Sequence, residues 1–173
     1  MIQEKYEQLC LTPSDINENL PVLKKYAEQS DSIVELGVRA IVSTWALLAG
    51  KPKILVSVDI EDPSVYGGNL MEVYDAANQE DINFSFIKAS SLEITIPEVD
   101  MLFIDTIHTK DFLSQELAKH ADKVKKFIAF HDTAIPDLPE MAECVNEFLA
   151  SHPEWQVAEH HVNNNGLTVI KRV

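Results

Sequence analysis

The sequence contains few of the residues that mark disulfide-rich or membrane-spanning proteins. It has two cysteines among 173 residues, Cys10 and Cys144, and no CxxC pair. Neither a disulfide framework nor a thiolate metal site is therefore indicated. No apolar run approaches the roughly 18 residues needed to cross a bilayer, and the polar N-terminus MIQEKYEQLC does not resemble a signal peptide. We expect a soluble, cytoplasmic protein without a membrane partner.

Basic residues are also scarce. The chain has 14 Lys and Arg against 28 Asp and Glu, a formal net charge of −14. A surface with this balance repels polyanions instead of collecting them along a basic face. We therefore expect no nucleic-acid partner, and we expect phosphate-rich substrates to be disfavoured.

Repeats, low-complexity tracts and Gly/Ser linkers are absent, which predicts a single domain over residues 1–173 with a short lead segment at 1–13. Short, nearly continuous apolar runs are typical of parallel strands that are buried on both faces. These runs are Ser32 to Leu36, Lys53 to Asp59, Asn83 to Lys88, Met101 to Asp105 and Phe127 to His131. Helical spacing occurs around them, at Leu20 to Ala27, Trp45 to Ala49, Leu70 to Ala77, Phe112 to Ala121 and Met141 to Leu149.

This alternation of strand and helix predicts an α/β fold with a doubly wound, mostly parallel, Rossmann-like sheet. The last segment breaks the pattern. Trp155 to Val162, the turn NNNG at 163–166 and Leu167 to Val173 indicate an antiparallel hairpin that closes the sheet. Ligands of such folds bind outside the carboxyl ends of the strands.

Three predicted strand ends carry groups suited to an amino acid linked to a nucleoside. Gly37 allows close backbone approach, and Ser43 and Thr44 at the next helix start offer donors to a carboxylate. Glu35 is suited to a cationic amino group. Asp59 ends the second strand, where an acidic side chain can accept from both ribose hydroxyls. Ala89, Ser90 and Ser91 follow the third strand, with small side chains that suit a base edge.

The fourth and fifth predicted strands end in a second group of polar residues. Asp105 lies 26 residues before His131 and 27 before Asp132, and adjacent parallel strands would bring the three side chains into one coordination sphere. Their oxygens and imidazole suit a divalent cation, and an imidazole favours a softer ion more than an all-oxygen cage does. The alternative is that His131 caps a helix and Asp132 makes a turn.

Six motifs in this order resemble the class I S-adenosylmethionine-dependent methyltransferases, in the group of the cephalosporin-hydroxylase-like, macrolide-sugar and catechol-type metal-dependent O-methyltransferases. The motifs are IVELGVR, VSVDI, KASSLE, MLFIDTIHTKDF, IAFHDT and NNNGLTVIKR. The resemblance implies that S-adenosyl-L-methionine contacts Glu35, Gly37, Arg39, Ser43, Asp59, Ser90 and Ser91. The predicted cofactor set also includes Ile60 and Asp105.

The same resemblance implies the chemistry of the site. Asp105, His131 and Asp132 would hold Mg²⁺ or Mn²⁺, with Asp105 also counted among the catalytic residues. His108 falls where catechol-type enzymes carry the base that removes the substrate proton; the alternative is a surface histidine. One departure from the family pattern is Ile41, which replaces the usual second glycine of the first motif and is expected to narrow the cofactor site.

The sequence thus predicts metal-assisted O-methylation of a sugar, glycan or other polyhydroxylated small molecule. Two other functions stay open: a metal-dependent hydrolase, suggested by the His-Asp pair, and a cofactor-binding domain without turnover, suggested by Ile41. A homo-oligomer and a domain of a larger enzyme are both compatible with the chain. His120 is expected on a solvated helix face or at the C-terminal end of a helix dipole, His160 and His161 on an exposed strand, and Trp45 in the core.

Overall fold

Seven strands form one mixed sheet in the computed structural model, which describes residues 1–173. The strands are β1 Ser32–Leu36, β2 Ile54–Asp59, β3 Asn83–Lys88, β4 Val99–Ile104, β5 Val124–His131, β6 Trp155–His161 and β7 Leu167–Arg172. Their order is β3-β2-β1-β4-β5-β7-β6. Strands β1 to β5 pair in parallel, and β7 runs antiparallel to both β5 and β6. The predicted Rossmann-like sheet with a closing hairpin is confirmed.

Six α-helices cover the sheet. They are α1 Ile2–Leu11, α2 Leu20–Ala27, α3 Val42–Ala49, α4 Leu70–Gln79, α5 Lys110–His120 and α6 Glu140–Ser151. Short 3₁₀ turns lie at Asn17–Asn19, Pro63–Tyr66 and Ala121–Lys123. None of the helices combines the length and the apolar character that a bilayer crossing requires.

The N-terminal lead segment is a helix that belongs to the core. Ile2 and Tyr6 lie four residues apart on one face of α1, are buried, and pack in the same apolar cluster as Trp45 of α3. Trp45 is therefore a core residue, as predicted. Because Ile2, Tyr6 and Leu9 alternate with charged residues at helical spacing, this amphipathic pattern was the signal for α1.

The alternation of strand and helix is interrupted between β3 and β4, where the sequence showed no helical spacing either. Residues 89–98 connect these strands through turns without a helix. The segment Ile94, Thr95, Ile96 and Pro97 explains this, because β-branched side chains restrict helical rotamers and proline cannot donate a helical hydrogen bond. Ile96 instead packs into the core.

The core consists of two apolar clusters, one on each face of the sheet. Within β1, Ile33 belongs to the first cluster, whereas Val34 and Leu36 belong to the second. Both faces of the central strands are thus covered by helices, which leaves the carboxyl ends of the strands as the open edge where ligands can reach them.

Candidate active site

The turn after β1 joins three strand ends. Gly37 has φ +89°, and its amide donates to the carbonyl of Val58 at 2.9 Å. The amide of Asp105 donates to the carbonyl of Leu36 at 2.8 Å. A Cβ added to Gly37 would lie 1.9 Å from the backbone oxygen of Asp105. The glycine is therefore required both by its left-handed backbone and by the close approach of the β4 end.

Glu35 lies beneath this turn and is completely buried. Its carboxylate accepts hydrogen bonds from the hydroxyls of Ser43 at 2.5 Å, Thr44 at 2.8 Å and Ser57 at 2.5 Å. Burial raises the pKa of Glu35 to about 7, although the three hydroxyls oppose this shift. The hydroxyls of Ser43 and Thr44 are thus both engaged in hydrogen bonds to Glu35. Of these two residues, only Ser43 borders the adjacent cavity.

Asp59 fixes the same turn from the end of β2. Its Oδ2 accepts from the amides of Val38 at 2.7 Å and Arg39 at 2.9 Å, and its Oδ1 accepts from the amide of Glu61 at 2.9 Å. The carboxylate still borders a cavity and is only partly buried. A carboxylate oxygen has more than one lone pair, so Asp59 retains capacity for a further donor.

Ile41 takes the backbone conformation that a glycine would have at this position. Its φ is +66° and ψ +23°, just before α3 begins. The side chain is buried in the first core cluster, where it fills the space beside Gly68 and would meet a Cβ there at 2.8 Å. Ile41 does not line either cavity beside Asp105. The expectation that Ile41 narrows the cofactor site is therefore wrong, because its side chain points into the core.

Two adjoining cavities lie along the carboxyl ends of the strands. The larger, about 460 Å³, is bordered by Ser14, Asp15, Val38 and Ser43. The smaller, about 220 Å³, is bordered by Gly37, Asp59, Ile60, Ser90, Ser91 and Ile107. Arg39, Tyr66 and Asp105 line both, so the cavities form one cleft. A separate cavity of about 390 Å³ between α5 and α6 contains none of the predicted site residues.

The floor of the smaller cavity contains a buried polar network. The Ser91 hydroxyl donates to Glu116 of α5 at 2.5 Å, and the Thr106 hydroxyl donates to the same carboxyl group at 2.9 Å. Burial raises the pKa of Glu116 to about 7. His120 is fully buried and its Nε2 lies 2.8 Å from the Ser91 carbonyl. The expectation of a solvated His120 is wrong, because it lies on the buried face of α5 with Leu113 and Leu117; it does lie in the last turn of that helix, as the other expectation had it.

Asp105, His108, His131 and Asp132 converge where β4 and β5 end. His131 Nδ1 lies 3.3 Å from Asp105 Oδ1 and 3.3 Å from Asp132 Oδ2. His108 Nε2 lies 2.7 Å from the same Asp132 oxygen and 3.7 Å from the same Asp105 oxygen. The ligand atoms of Asp105, His131 and Asp132 all lie within 4.8 Å of one another, a spacing that suits one ion.

The orientation of the His131 ring is fixed by backbone groups. His131 Nε2 lies 3.0 Å from the carbonyl oxygen of Asn164 and 3.2 Å from that of Asp15. A carbonyl oxygen only accepts, so Nε2 carries the proton and donates. In the neutral ring this leaves the lone pair on Nδ1, which faces both carboxylates, as in metal sites where an outer partner fixes the histidine tautomer. The donor set therefore fits a divalent cation.

The histidines and carboxylates of this cluster shift one another's pKa values. Hydrogen bonds with Asp105 and Asp132 raise the pKa of His108 to about 10. Burial favours the neutral ring of His131, but the same two carboxylates raise its pKa to about 10. Burial alone would raise the pKa of Asp132, yet the two histidines hold it well below its usual range. The cluster thus binds protons near neutral pH, and a divalent cation would compete with them.

Several residues in or next to the cleft were missed by the sequence reasoning. The Asn163–Gly166 turn was interpreted only as a hairpin connection, although Asn164 contacts His131 and its side-chain amide donates to the Ser14 carbonyl at 3.2 Å. Glu116 has a detectable signal, because it falls with Leu113 and Leu117 on the apolar stripe of α5. Asp15, which forms an ion pair with Arg39 at 3.0 Å, has no local signal.

No protein-family model and no curated protein match the sequence. Solved structures do share the fold. A methyltransferase from Geobacter sulfurreducens superposes with a TM-score of 0.69 and 15% identity, covering 99% of this chain and 88% of that one. The O-methyltransferase TomG from Streptomyces achromogenes, involved in tomaymycin synthesis and in complex with S-adenosylmethionine, superposes with a TM-score of 0.66 and 16% identity. The match covers 94% of this chain and 82% of that one.

An O-methyltransferase from Bacillus cereus, in complex with S-adenosylhomocysteine, gives a TM-score of 0.61 and 15% identity and covers 98% of this chain and 91% of its own. The chain therefore has the α/β fold of the S-adenosylmethionine-dependent methyltransferases over nearly its whole length. At these identities the likeness concerns the fold, and the function has to be argued from the cleft itself.

Proposed function

We propose that the chain is an S-adenosylmethionine-dependent O-methyltransferase that acts, with a divalent metal, on a hydroxyl of a sugar, glycan or other polyhydroxylated small molecule. The main support for this proposal is that Asp59 and Asp105, at the ends of β2 and β4, line the same cleft on either side of Gly37. Structures of similar fold contain S-adenosylmethionine or S-adenosylhomocysteine, which supports this cofactor.

The smaller cavity suits the adenosyl part of the cofactor. Asp59 would accept from the ribose hydroxyls, while Ile60 and Ser90 border the space for the base. The amino-acid part would extend past Gly37 toward Arg39 and Ser43, which border the larger cavity. Glu35 would act from below, through the hydroxyls that it holds at the first turn of α3.

The reaction requires positioning more than covalent help from the protein. Asp105, His131 and Asp132 would hold Mg²⁺ or Mn²⁺, and the bound ion would supply Lewis acidity that lowers the pKa of a coordinated hydroxyl. The acceptor oxygen forms a bond to the sulfonium methyl carbon as the carbon–sulfur bond breaks. The hydroxyl proton would pass to His108 Nε2, whose side chain is 40% exposed, once the ion has displaced the proton that Nε2 shares with Asp105 and Asp132.

The electrostatics of the cleft limit the acceptor. The chain carries 28 acidic residues and 14 basic ones, and Arg39 at the cleft is paired with Asp15. A phosphate-rich acceptor would therefore be repelled, whereas neutral vicinal hydroxyls can approach the acidic cluster without this cost. We propose a neutral polyhydroxylated acceptor on this ground.

Isothermal titration with S-adenosylhomocysteine tests the cofactor assignment. Wild type should bind at a single site, and Asp59→Ala should weaken binding by at least about tenfold, the equivalent of one charge-assisted hydrogen bond. The matched control is Asp62→Ala, since the Asp62 carboxylate accepts locally from Ser64 and lines neither cavity of the cleft. Undetectable binding by wild type refutes the proposal, and phosphoester hydrolysis without cofactor would favour the hydrolase alternative.

A further inference from the structure

We propose that Glu116 is a positioning residue of the cofactor cavity, which makes the hydroxyls of Ser91 and Thr106 acceptors for the exocyclic amino group of an adenine. The proposal rests on the cofactor assigned above. Glu116 has no role in the methyl transfer itself, yet it is fully buried, behind two residues that line the smaller cavity.

The directions of the hydrogen bonds around Glu116 follow from the chemistry of the groups. Ser91 Oγ lies 2.5 Å from Glu116 Oε1, and Thr106 Oγ1 lies 3.0 and 2.9 Å from the two oxygens of the same carboxylate. An ionised carboxylate only accepts, so each hydroxyl donates its one proton to Glu116 and keeps lone pairs on its oxygen. The two hydroxyls can therefore accept a hydrogen bond from a ligand in the cavity but cannot donate one.

This pattern fits an adenine and disfavours an oxo purine. The exocyclic amino group of adenine is a donor, whereas hypoxanthine carries an oxygen acceptor at the same position. That oxygen would face hydroxyl oxygens with no proton between them, and a polar group left without a partner lowers the affinity. A site built around a hydrogen bond to an NH group rejects an analogue that lacks the group. Glu116 thus makes the cavity selective for the amino form of the base.

The backbone of Ser91 is held independently of Glu116. His120 Nε2 lies 2.8 Å from the Ser91 carbonyl oxygen, which only accepts, so Nε2 carries the proton. The other ring nitrogen, Nδ1, is buried without a partner, and burial lowers the pKa of His120, so the ring is neutral. A change at Glu116 should therefore redirect the hydroxyl protons without releasing the loop that carries Ser91.

Stability alone does not account for a carboxyl group at this position. Glu116 accepts hydrogen bonds from two hydroxyls and from no lysine, arginine or histidine. It lies on the buried face of α5 with Leu113 and Leu117, where an apolar side chain would avoid the cost of burying a charge. A buried acid with a raised pKa beside a ligand cavity is typical of a functional site.

Isothermal titration with S-adenosylhomocysteine and with its deaminated analogue, S-inosylhomocysteine, tests this role. The titrations are made at pH 8, where Glu116, whose pKa burial raises to about 7, is ionised. Wild type should bind S-adenosylhomocysteine at least about fivefold more tightly than the analogue, as expected when an acceptor loses its partner.

The variant Glu116→Gln should reverse part of this preference. Its amide nitrogen donates where a carboxylate oxygen accepted, so one hydroxyl receives that bond and can turn its own proton toward the cavity. Glu116→Gln should therefore bind S-inosylhomocysteine about threefold or more tightly than wild type does, while its affinity for S-adenosylhomocysteine falls. Structural damage would weaken the binding of both ligands, so a gain for one of them identifies a positioning role.

Asp111→Asn is the matched control, because it makes the same change from acid to amide on the exposed face of α5. It should leave both affinities within about twofold of those of wild type. Circular dichroism confirms that each variant is folded.

A wild-type preference for S-adenosylhomocysteine below about fivefold overturns the inference, and this comparison requires no variant. A folded Glu116→Gln protein that binds S-inosylhomocysteine no more tightly than wild type also overturns it. Failure of the proposed function has a different signature, since wild type would then bind neither ligand.

Discussion

Gly37 and Asp105 are in such close backbone contact that a Cβ on Gly37 would lie 1.9 Å from the Asp105 carbonyl oxygen. The turn after β1 and the cluster of Asp105, His131 and Asp132 are thereby linked through the backbone, because the Asp105 amide also donates to the Leu36 carbonyl. A side chain added at Gly37 must therefore displace Asp105, the proposed metal ligand.

Gly37→Ala should therefore destabilise the protein by more than about 3 kcal/mol, since it adds a steric clash to the backbone strain of roughly 1–2 kcal/mol. Gly67→Ala is the matched control: Gly67 has φ +80° and no atom within 4 Å of an added Cβ, so only the strain should appear. Urea unfolding measures both. Equal losses of stability in the two variants would show that the Asp105 carbonyl does not hinder a Cβ at Gly37.

Ile41→Gly should lower stability despite its left-handed backbone. Relief of the strain is worth about 1–2 kcal/mol, whereas emptying a fully buried isoleucine site costs about 2–5 kcal/mol. A net loss of about 2 kcal/mol is expected in urea unfolding. S-adenosylhomocysteine affinity should stay within about twofold of wild type, because the Ile41 side chain lies in the core; a marked gain in affinity would contradict its placement.

Glu35 makes stability depend on pH. Its folded pKa of about 7 is above the ordinary value of 4.5 for a glutamate, so the folded state binds the proton more tightly and stability falls as pH rises between these values. Because this carboxyl is buried, the free energy of unfolding should be lower at pH 8 than at pH 5 by up to about 3 kcal/mol. Glu35→Gln should flatten this part of the profile, measured by urea unfolding at both pH values. A slope identical to that of wild type would exclude Glu35 as its source.

Asn19 holds the turn that orients His131. Its buried amide donates to the carbonyls of Asn163 at 3.2 Å and Asn164 at 3.3 Å. Asn19→Asp replaces the donor with a carboxylate oxygen and buries an unpaired charge, so a loss above about 3 kcal/mol is expected at pH 7. Asn146→Asp on the exposed face of α6 should change stability by less than about 0.5 kcal/mol. Thermal unfolding compares them, and similar melting temperatures would contradict the role of Asn19.

The central strands were predictable because each is a short apolar run buried on both faces. The bounds of β1 and β3 agree with the sequence prediction, and Asp59 ends β2 as expected. Asp105 directly follows β4, as expected from the end of the apolar run that forms this strand. The convergence of Asp105, His131 and Asp132 was predictable because β4 and β5 are adjacent and parallel.

Other features depend on contacts between distant parts of the chain. The hydrogen bonds of Asn164 join the amide of Glu18 and the carbonyl of Ser14 across about 150 residues, and no local pattern encodes them. The burial of His120 depends on the loop that carries Ser91. Ile41 illustrates a further limit: a missing glycine in a motif does not reveal whether its replacement can adopt the same φ.

A crystal structure with S-adenosylhomocysteine and Mn²⁺ tests the central claim most directly. It should show the ribose hydroxyls on the Asp59 carboxylate, the base beside Ser90, and the sulfur directed toward Asp105. The ion should contact Asp105, His131 and Asp132. Nucleoside density outside the cleft between Gly37, Asp59 and Asp105, or an empty cleft at saturating ligand, would contradict the account.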